Sequence, residues 1–461
     1  MQINKKKLHL IKLLVFLCAI VTVLSMTSCL SYSEKSREEI EAGIASISEK
    51  DDLNYTYVAN YLRHWGLPEF DVSKLRWVES VFITAYNYDK GLPKTSNHAV
   101  MTANAFLEEY YDTIDLKDEE AVTDAIITCY VNAVGDPYSI YRPAEDYEEY
   151  DTDMSGKFGG IGVVVETNYN DGTMLVTSVY IDSPADKAGF KVGDYIAKVN
   201  GTPISEIGIT NVIYEIRGKI GTTVTITVER DGALLDLVAT REQITEKTVS
   251  YEITEEGYGY IAVTDFKGNT DEQFIEAVDA LEAAGVKGII FDMRNNLGGY
   301  LDTVCNMLSY IVPTNTRILS YRYKNSNEKV ITAKDDTTSK GEVCDHVITV
   351  PMVVLCNEFT ASAAEIFTSA IRDYRDDGIL KAKTIGMVTY KKGIMQSTYN
   401  YAIDGSSVTL TVAYYNPPCG VNYHGIGVAP DIAVELDDSG TDNQFATAKN
   451  ELKALINANN N

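Results

Sequence analysis

Apolar residues recur at intervals of three and four through residues 34–135, the period of amphipathic helices. Val78, Val81, Phe82 and Ala85 share one such face, as do Phe106, Leu107, Tyr110 and Tyr111, and then Ala121, Ile126, Cys129, Tyr130 and Val134. Ser36-Arg37-Glu38-Glu39 before Ile40, Ile44 and Ile47 has the form of a helix-capping signal, and Gly135-Asp136-Pro137 stops the last helix. The pattern changes near Ser155. Between Lys157 and Gln243 glycines punctuate β-branched runs, predicting strands at Ile161 to Glu166, Met174 to Val179, Ile196 to Asn200 and Val224 to Glu229. Short helices are expected at Pro184 to Ala188 and Asn211 to Arg217. From Tyr251 onward, the continuous apolar runs Gly288 to Asp292 and Thr349 to Cys356 read as central strands. Helical periodicity follows each, over Leu301 to Ile311 and Ala361 to Ile371, so a layered α/β core is predicted, closed by a helix over Asp442 to Ala458.

The first residues obey none of these periods. Lys5, Lys6, Lys7 and Lys12 precede an apolar run from Leu13 to Leu24, shorter than the ~20 residues a membrane-crossing helix needs. Leu24-Ser25-Met26-Thr27-Ser28-Cys29 follows, small residues ending in Cys, similar to a bacterial lipobox. The expectation is cleavage before Cys29, a lipid on its thiol, and tethering to the outer face of a bacterial membrane. The net charge of −26 argues against a nucleic-acid partner, which requires a basic footprint. Cys129, Cys305, Cys344, Cys356 and Cys419 are odd in number and lack paired spacing, so free thiols are expected. The five histidines are scattered and form no HExxH cluster, so no catalytic metal and no cofactor is expected.

Phe158-Gly159-Gly160-Ile161-Gly162-Val163 places three glycines at the entry to a strand. Glycines let successive backbone N–H groups turn to one side as a nest for an anion, and an exposed strand beside the nest can pair with an extended peptide. Together with Ser183 to Asp194 and Asn200-Gly201, these residues resemble a PDZ domain. The resemblance implies that Gly160, Ile161 and Gly162 hold the C-terminal carboxylate of a polypeptide.

Thr360-Ala361-Ser362-Ala363-Ala364-Glu365 stands between a buried strand and a helix, where a helix N-terminus favours an alkoxide or oxyanion. Ser362 is there either a capping residue or a nucleophile, and a nucleophilic serine needs a base. Thr389-Tyr390-Lys391-Lys392-Gly393-Ile394-Met395-Gln396 offers a lysine. With Asp292-Met293-Arg294-Asn295-Asn296-Leu297-Gly298-Gly299, these blocks resemble the C-terminal processing peptidases, tail-specific Ser/Lys proteases that carry a PDZ domain. The resemblance runs from about Phe106 to Leu455. It implies Ser362 as nucleophile, Lys392 as general base, and Gln396 as the residue that positions the lysine amine. It also implies an oxyanion hole from the backbone N–H groups of Gly298 or Gly299 and of Ala363.

Lys391 departs from that pattern, standing where the family has Gly, and Asp376-Asp377-Gly378 lies in a longer interval between serine and lysine. The reading is a multidomain α+β protein. A lipoprotein-type signal peptide occupies 1–28, a helical extension 29–100, and a helical part of the family region 101–150. A PDZ domain occupies 156–245, and an α/β (crotonase/ClpP-like ββα) serine protease core with its C-terminal helix 250–461. The expected activity is endoproteolysis of polypeptides with free C-terminal tails, and residues 30–100 are a candidate site for an adaptor or oligomer contact. The alternative is an inactive PDZ-containing peptide-binding scaffold.

Overall fold

The computed structural model describes residues 35–48, 57–88, 91–168, 170–209, 211–334, 346–436 and 441–459. The expected signal segment, Cys29 and Cys344 lie outside them. Among the described residues no helix is long and apolar enough to cross a membrane.

The described residues from 35 to 141, apart from 85–88, form a helical unit. Its helices are Arg37–Ser48, Val58–Trp65, Val72–Ala85, Thr95–Glu109 and Glu119–Asn132. The capping signal at Ser36 is realised reciprocally: the Glu39 amide donates to Ser36 Oγ, and the Ser36 amide donates to Glu39 Oε2 at 2.8 Å. Asp118 caps the last helix by accepting from the Glu120 and Ala121 amides. Of the predicted faces, Ile40, Val78, Phe82, Phe106, Ile126 and Tyr130 are buried, joined by Leu62 and Trp65, while Ala85, Tyr110, Tyr111, Ala121 and Val134 are half-buried. The helix Thr95–Glu109 runs unbroken through residue 100, with Ala99 and Ala103 both buried, so the chain has no structural break there.

The second unit holds residues 85–88 and the described chain from Arg142 onward. Its small β domain is a sheet in the order Val163–Asn168, Thr173–Val179, Tyr195–Val199, Thr223–Arg230, Ala233–Thr240. Lys157–Gly160 pairs with Glu242–Thr245 beside it. The helices Pro184–Ala188 and Val212–Ile216 fall where expected. Val224, Ile226 and Val228 are buried on alternate positions, the period that made their strand legible. Ala233–Thr240 was not foreseen, because Leu234, Leu235 and Val238 are exposed and break the alternation.

The larger domain is built on a sheet ordered Val249–Ile253, Gly259–Val263, Ile289–Asp292, Met352–Cys356, Ala382–Gly386, Ile432–Ala433. The first pair is antiparallel and the rest are parallel. Side chains of its central strands alternate between two cores. Ile289, Phe291, Met352 and Val354 pack with the helices Thr270–Ala283, Leu301–Ile311 and Ala363–Asp376. Ile290, Val353 and Leu355 pack with the terminal helix Asn443–Asn459 through Ala448 and Leu452. Burial on both faces explains why these strands read as unbroken apolar runs. A second antiparallel sheet pairs Ser407–Asn416 with Ile394–Asn400 and with Arg317–Tyr323. Cys129, Cys305, Cys356 and Cys419 are free thiols.

Candidate active site

The strand Met352–Cys356 ends at Asn357, and the chain turns through Thr360 and Ala361 to Ser362 at the mouth of the helix Ala363–Asp376. Ser362 has φ 54° and ψ −115°, a region that L-residues adopt only when their surroundings hold them. The hold is visible. Thr360 Oγ1 donates to Met293 O at 2.8 Å, the Ala361 amide to Asn296 O at 2.8 Å, and the Asn295 amide to Asn357 Oδ1 at 2.9 Å. These bonds join the Ser362 turn to the loop after Ile289–Asp292. Gly298 lies so close that an added Cβ would sit 2.8 Å from Ser362 Cβ and 2.9 Å from the Ala363 amide nitrogen. Its φ of 99° also suits glycine. Gly299 packs on the Phe266 carbonyl, where a Cβ would approach to 2.3 Å. The Gly298 amide donates to Asn296 Oδ1 at 2.8 Å.

Glu365 is completely buried one turn into the helix. Its Oε2 accepts from the Ser362 amide at 2.9 Å and from the Lys392 amide at 2.8 Å. Its Oε1 accepts from Thr389 Oγ1 at 2.5 Å and from the Lys391 amide at 2.8 Å. A single carboxylate therefore binds the turn carrying Ser362 to the loop carrying Lys392. Burial pushes its pKa up, and the four donors pull against that. Sequence reasoning passed over Glu365. The signal for it was an acid three residues after the serine at a helix start, which also reads as an ordinary cap.

The lysine loop is held a second time by Tyr415, whose hydroxyl donates to Lys392 O at 2.7 Å and receives one from Tyr423 at 3.1 Å. Both phenols are buried, and burial raises both pKa values. Lys391 has φ 88°, the left-handed conformation a glycine adopts without cost. Its amide is held by Glu365, and its carbonyl accepts from the Gly425 amide at 2.9 Å. Lys392 is half-buried. Gln396 lies in the strand Ile394–Asn400 and donates to Thr411 Oγ1 at 3.3 Å. Asp292, which opens the glycine loop, receives Tyr260 Oη at 2.8 Å and Arg294, which also pairs with Asp442. Burial opposes the Arg294 charge, but the two carboxylates outweigh it and raise its pKa. Leu297, Phe359 and Tyr390 are exposed beside the glycine, serine and lysine loops, an apolar rim.

In the small β domain, Gly160, Ile161 and Gly162 all line one cavity of about 260 Å³. Its walls include Val163 and Val165 of the strand Val163–Asn168, and Ile213 and Ile216 of the helix Val212–Ile216. The Ile161 carbonyl is bound by the Ala185 amide at 2.8 Å and the Gly162 carbonyl by the Tyr180 amide at 2.9 Å. Arg217 and Phe158 also line it; the Arg217 guanidinium lies 4.0 Å over the Phe158 ring and pairs with Asp153.

The profile of peptidase family S41 matches residues 257–434, and that of the PDZ domain matches residues 175–230. The carboxy-terminal processing protease CtpA of Bacillus subtilis (strain 168) is 34% identical over 331 residues, 72% of this chain and 67% of that protein. A Staphylococcus aureus (strain COL) protein named "Probable CtpA-like serine protease" is 29% identical over 405 residues, 87% of this chain and 78% of that one. A solved structure from Bacteroides fragilis NCTC 9343, named for the S41 proteases, shares the fold. It superposes with a TM-score of 0.51 at 16% identity, covering 82% of this chain and 97% of that chain. The chain thus belongs to peptidase family S41 and is a CtpA-like C-terminal processing serine protease with a PDZ domain, acting on polypeptides.

Proposed function

We propose that this protease uses a Ser362–Lys392 dyad on substrates whose free C-terminal tails are captured by the PDZ groove, and that Cys29 carries a lipid tethering it to the outer face of a bacterial membrane. The observation that carries the dyad is Glu365 Oε2, which holds the backbone amides of Ser362 and Lys392 on one oxygen. Ser362 Oγ attacks the scissile carbonyl carbon while Lys392 Nζ takes its proton. The oxyanion is received by the Ala363 amide at the helix mouth and by the Gly298–Gly299 turn. Within that turn Gly299 has the amide that Asn296 does not hold. The C–N bond then breaks, Lys392 returns the proton to the leaving amine, and water releases the acyl group by the reverse sequence. Gln396 gives its amide nitrogen to Thr411, which turns its oxygen to serve as acceptor for the neutral lysine amine.

The leader supports the tether. Its basic start, short apolar run and terminal Cys29 suit a lipoprotein signal.

The test is turnover of a peptide with a free C-terminus. Ser362→Ala and Lys392→Ala should each lower kcat/KM by at least ~10³-fold while leaving tail binding intact. Lys392→Arg should fail as badly, since a guanidinium does not deprotonate at working pH. In the wild type kcat/KM should rise with pH through one ionisation below the ordinary lysine value of about 10.4. Retention of more than about a hundredth of activity in either alanine variant would remove the dyad.

A further inference from the structure

Three side chains outside the catalytic loops converge at the carboxyl end of the helix Thr270–Ala283. Asp279 and Glu282 stand three residues apart on it, and His346 lies on the segment leading into the central strand Met352–Cys356. Their ligand atoms all lie within 4.8 Å of one another. Spacing in the sequence hides the group, because His346 is remote from both acids.

The histidine's hydrogen bonds define what the group wants. Nδ1 lies 2.7 Å from the Tyr310 carbonyl oxygen, which can only accept, so Nδ1 carries a proton. In the neutral ring Nε2 is then a bare lone pair, and it faces Glu282 Oε2 at 2.8 Å. Two acceptors at that distance repel unless a cation lies with them. A second ring proton would serve Glu282 alone, whereas Asp279 brings another carboxylate into the same space. The outer contacts fix both ligands: Tyr310 Oη donates to Asp279 Oδ1, and the Tyr310 ring stacks on His346 with centroids 4.0 Å apart. One imidazole nitrogen and two carboxylates, with the far imidazole N–H held by a backbone carbonyl, is the donor set and supporting shell of a zinc-type site.

We propose that Asp279, Glu282 and His346 bind a divalent first-row transition metal, zinc in preference to magnesium or calcium because one donor is an imidazole. The ion ties the helix Thr270–Ala283 to the segment that enters the strand leading to Ser362. It stabilises the core and takes no part in the peptide chemistry.

The test uses the full chain, stripped with a chelator that is then removed. Zinc chloride is titrated calorimetrically and cobalt chloride optically, in the Ser362→Ala background to prevent self-digestion. The expected result is one zinc per chain, visible cobalt d–d bands, and a melting temperature that rises with zinc. His346→Ala and Glu282→Gln should each weaken zinc at least tenfold, the second without removing the Tyr310 stack. Cys419→Ser should leave the affinity unchanged, which separates this site from the exposed thiol. No binding up to millimolar zinc, or equal affinity in Glu282→Gln and the parent, would overturn the proposal and leave His346 and Glu282 as a proton-held ion pair.

Discussion

Among the described residues two glutamates are buried, one in each unit, and they have opposite surroundings. Glu79, in the helical unit, is 2% exposed; its Oε1 takes the Ala59 amide at 3.2 Å, and its buried Oε2 meets no partner. Glu365, in the protease core, is 0% exposed, and its two oxygens take four donors between 2.5 and 2.9 Å. Burial pushes both pKa values up, that of Glu79 to about 7. The difference teaches what a buried carboxylate is for. With weak amide bonds at one end of the helix Val58–Trp65, Glu79 is a half-neutral structural group. With four donors drawn from two loops, Glu365 is a clamp, and what it clamps is the pair of residues proposed to do the chemistry.

The clamp should be the more costly to break. Glu365→Gln keeps the volume but turns an NH₂ toward one pair of donors, Ser362 with Lys392 or Thr389 with Lys391. At roughly 1.5–3 kcal/mol for each lost bond to a charged acceptor, two losses should lower kcat/KM at least about hundredfold. The loss should appear in kcat, with tail binding unchanged, because Glu365 positions groups and touches no substrate. Steady-state kinetics alongside peptide binding checks this. A glutamine variant within threefold of the parent would reduce Glu365 to an ordinary helix cap.

Glu79 should instead reveal itself through pH. Below about pH 4.5 the carboxyl is protonated in both the folded and the unfolded chain. Between there and about 7 the unfolded chain ionises while the folded one keeps its proton, so stability falls as pH rises. The stabilisation lost by pH 8 is roughly 3 kcal/mol at about 1.4 kcal/mol per pH unit. Amide exchange in the helix Val58–Trp65 should be slower at pH 5 than at pH 8 by more than base catalysis predicts. Glu79→Gln should remove that excess. The same excess in the glutamine variant would assign it to other groups.

The two carboxylates also mark how far the sequence could be read. Apolar periodicity located the helical unit, the central strands Ile289–Asp292 and Met352–Cys356 with the helix after each, and four strands of the PDZ domain, because each buries a regular face; it did not place the helix Thr270–Ala283 or the sheet around Ser407–Asn416. It missed Ala233–Thr240, whose Leu234 and Val238 point to solvent, and it could not see that Thr95–Glu109 crosses residue 100. Motifs pointed to Ser362, Lys392, Gly298 and the glycine nest. They gave no sight of the Glu365 clamp or of Tyr415 on Lys392 O, because those depend on chain segments meeting across more than twenty residues.

A third carboxylate, supplied by the substrate, extends the comparison. In the proposed reading, the nest at Gly160–Gly162 offers backbone N–H groups to a tail lying in the cavity that Val163, Val165, Ile213 and Ile216 help to line. Unlike Glu365, this carboxylate must leave again, so fewer and weaker bonds are expected. Replacing a free C-terminus by an amide should weaken binding to the full-length Ser362→Ala protein by at least tenfold, the equivalent of one charge-assisted bond. Equal affinities of the acid and amide forms would make the domain a spacer.

The smallest effect concerns the residue Glu365 holds in an uncomfortable shape. Lys391 sits at φ 88°, and a left-handed L-residue costs roughly 1–2 kcal/mol. Lys391→Gly removes that strain but adds backbone freedom to the unfolded chain, worth roughly 0.5–1 kcal/mol against it. The net should be a stabilisation of about 0.5–1 kcal/mol. In a chain this long that raises the melting temperature by only ~1–2 °C. If Lys391 contributes only its backbone amide and carbonyl, kcat/KM and its pH profile should stay within twofold of the parent. Lys391→Asn, which tolerates the same φ, should fall between the two in stability. A loss of kcat/KM in both variants, with the rising limb moved to higher pH, would show instead that the Lys391 charge helps to keep the neighbouring Lys392 amine neutral. The strain would then be the cost of placing a cation beside the base.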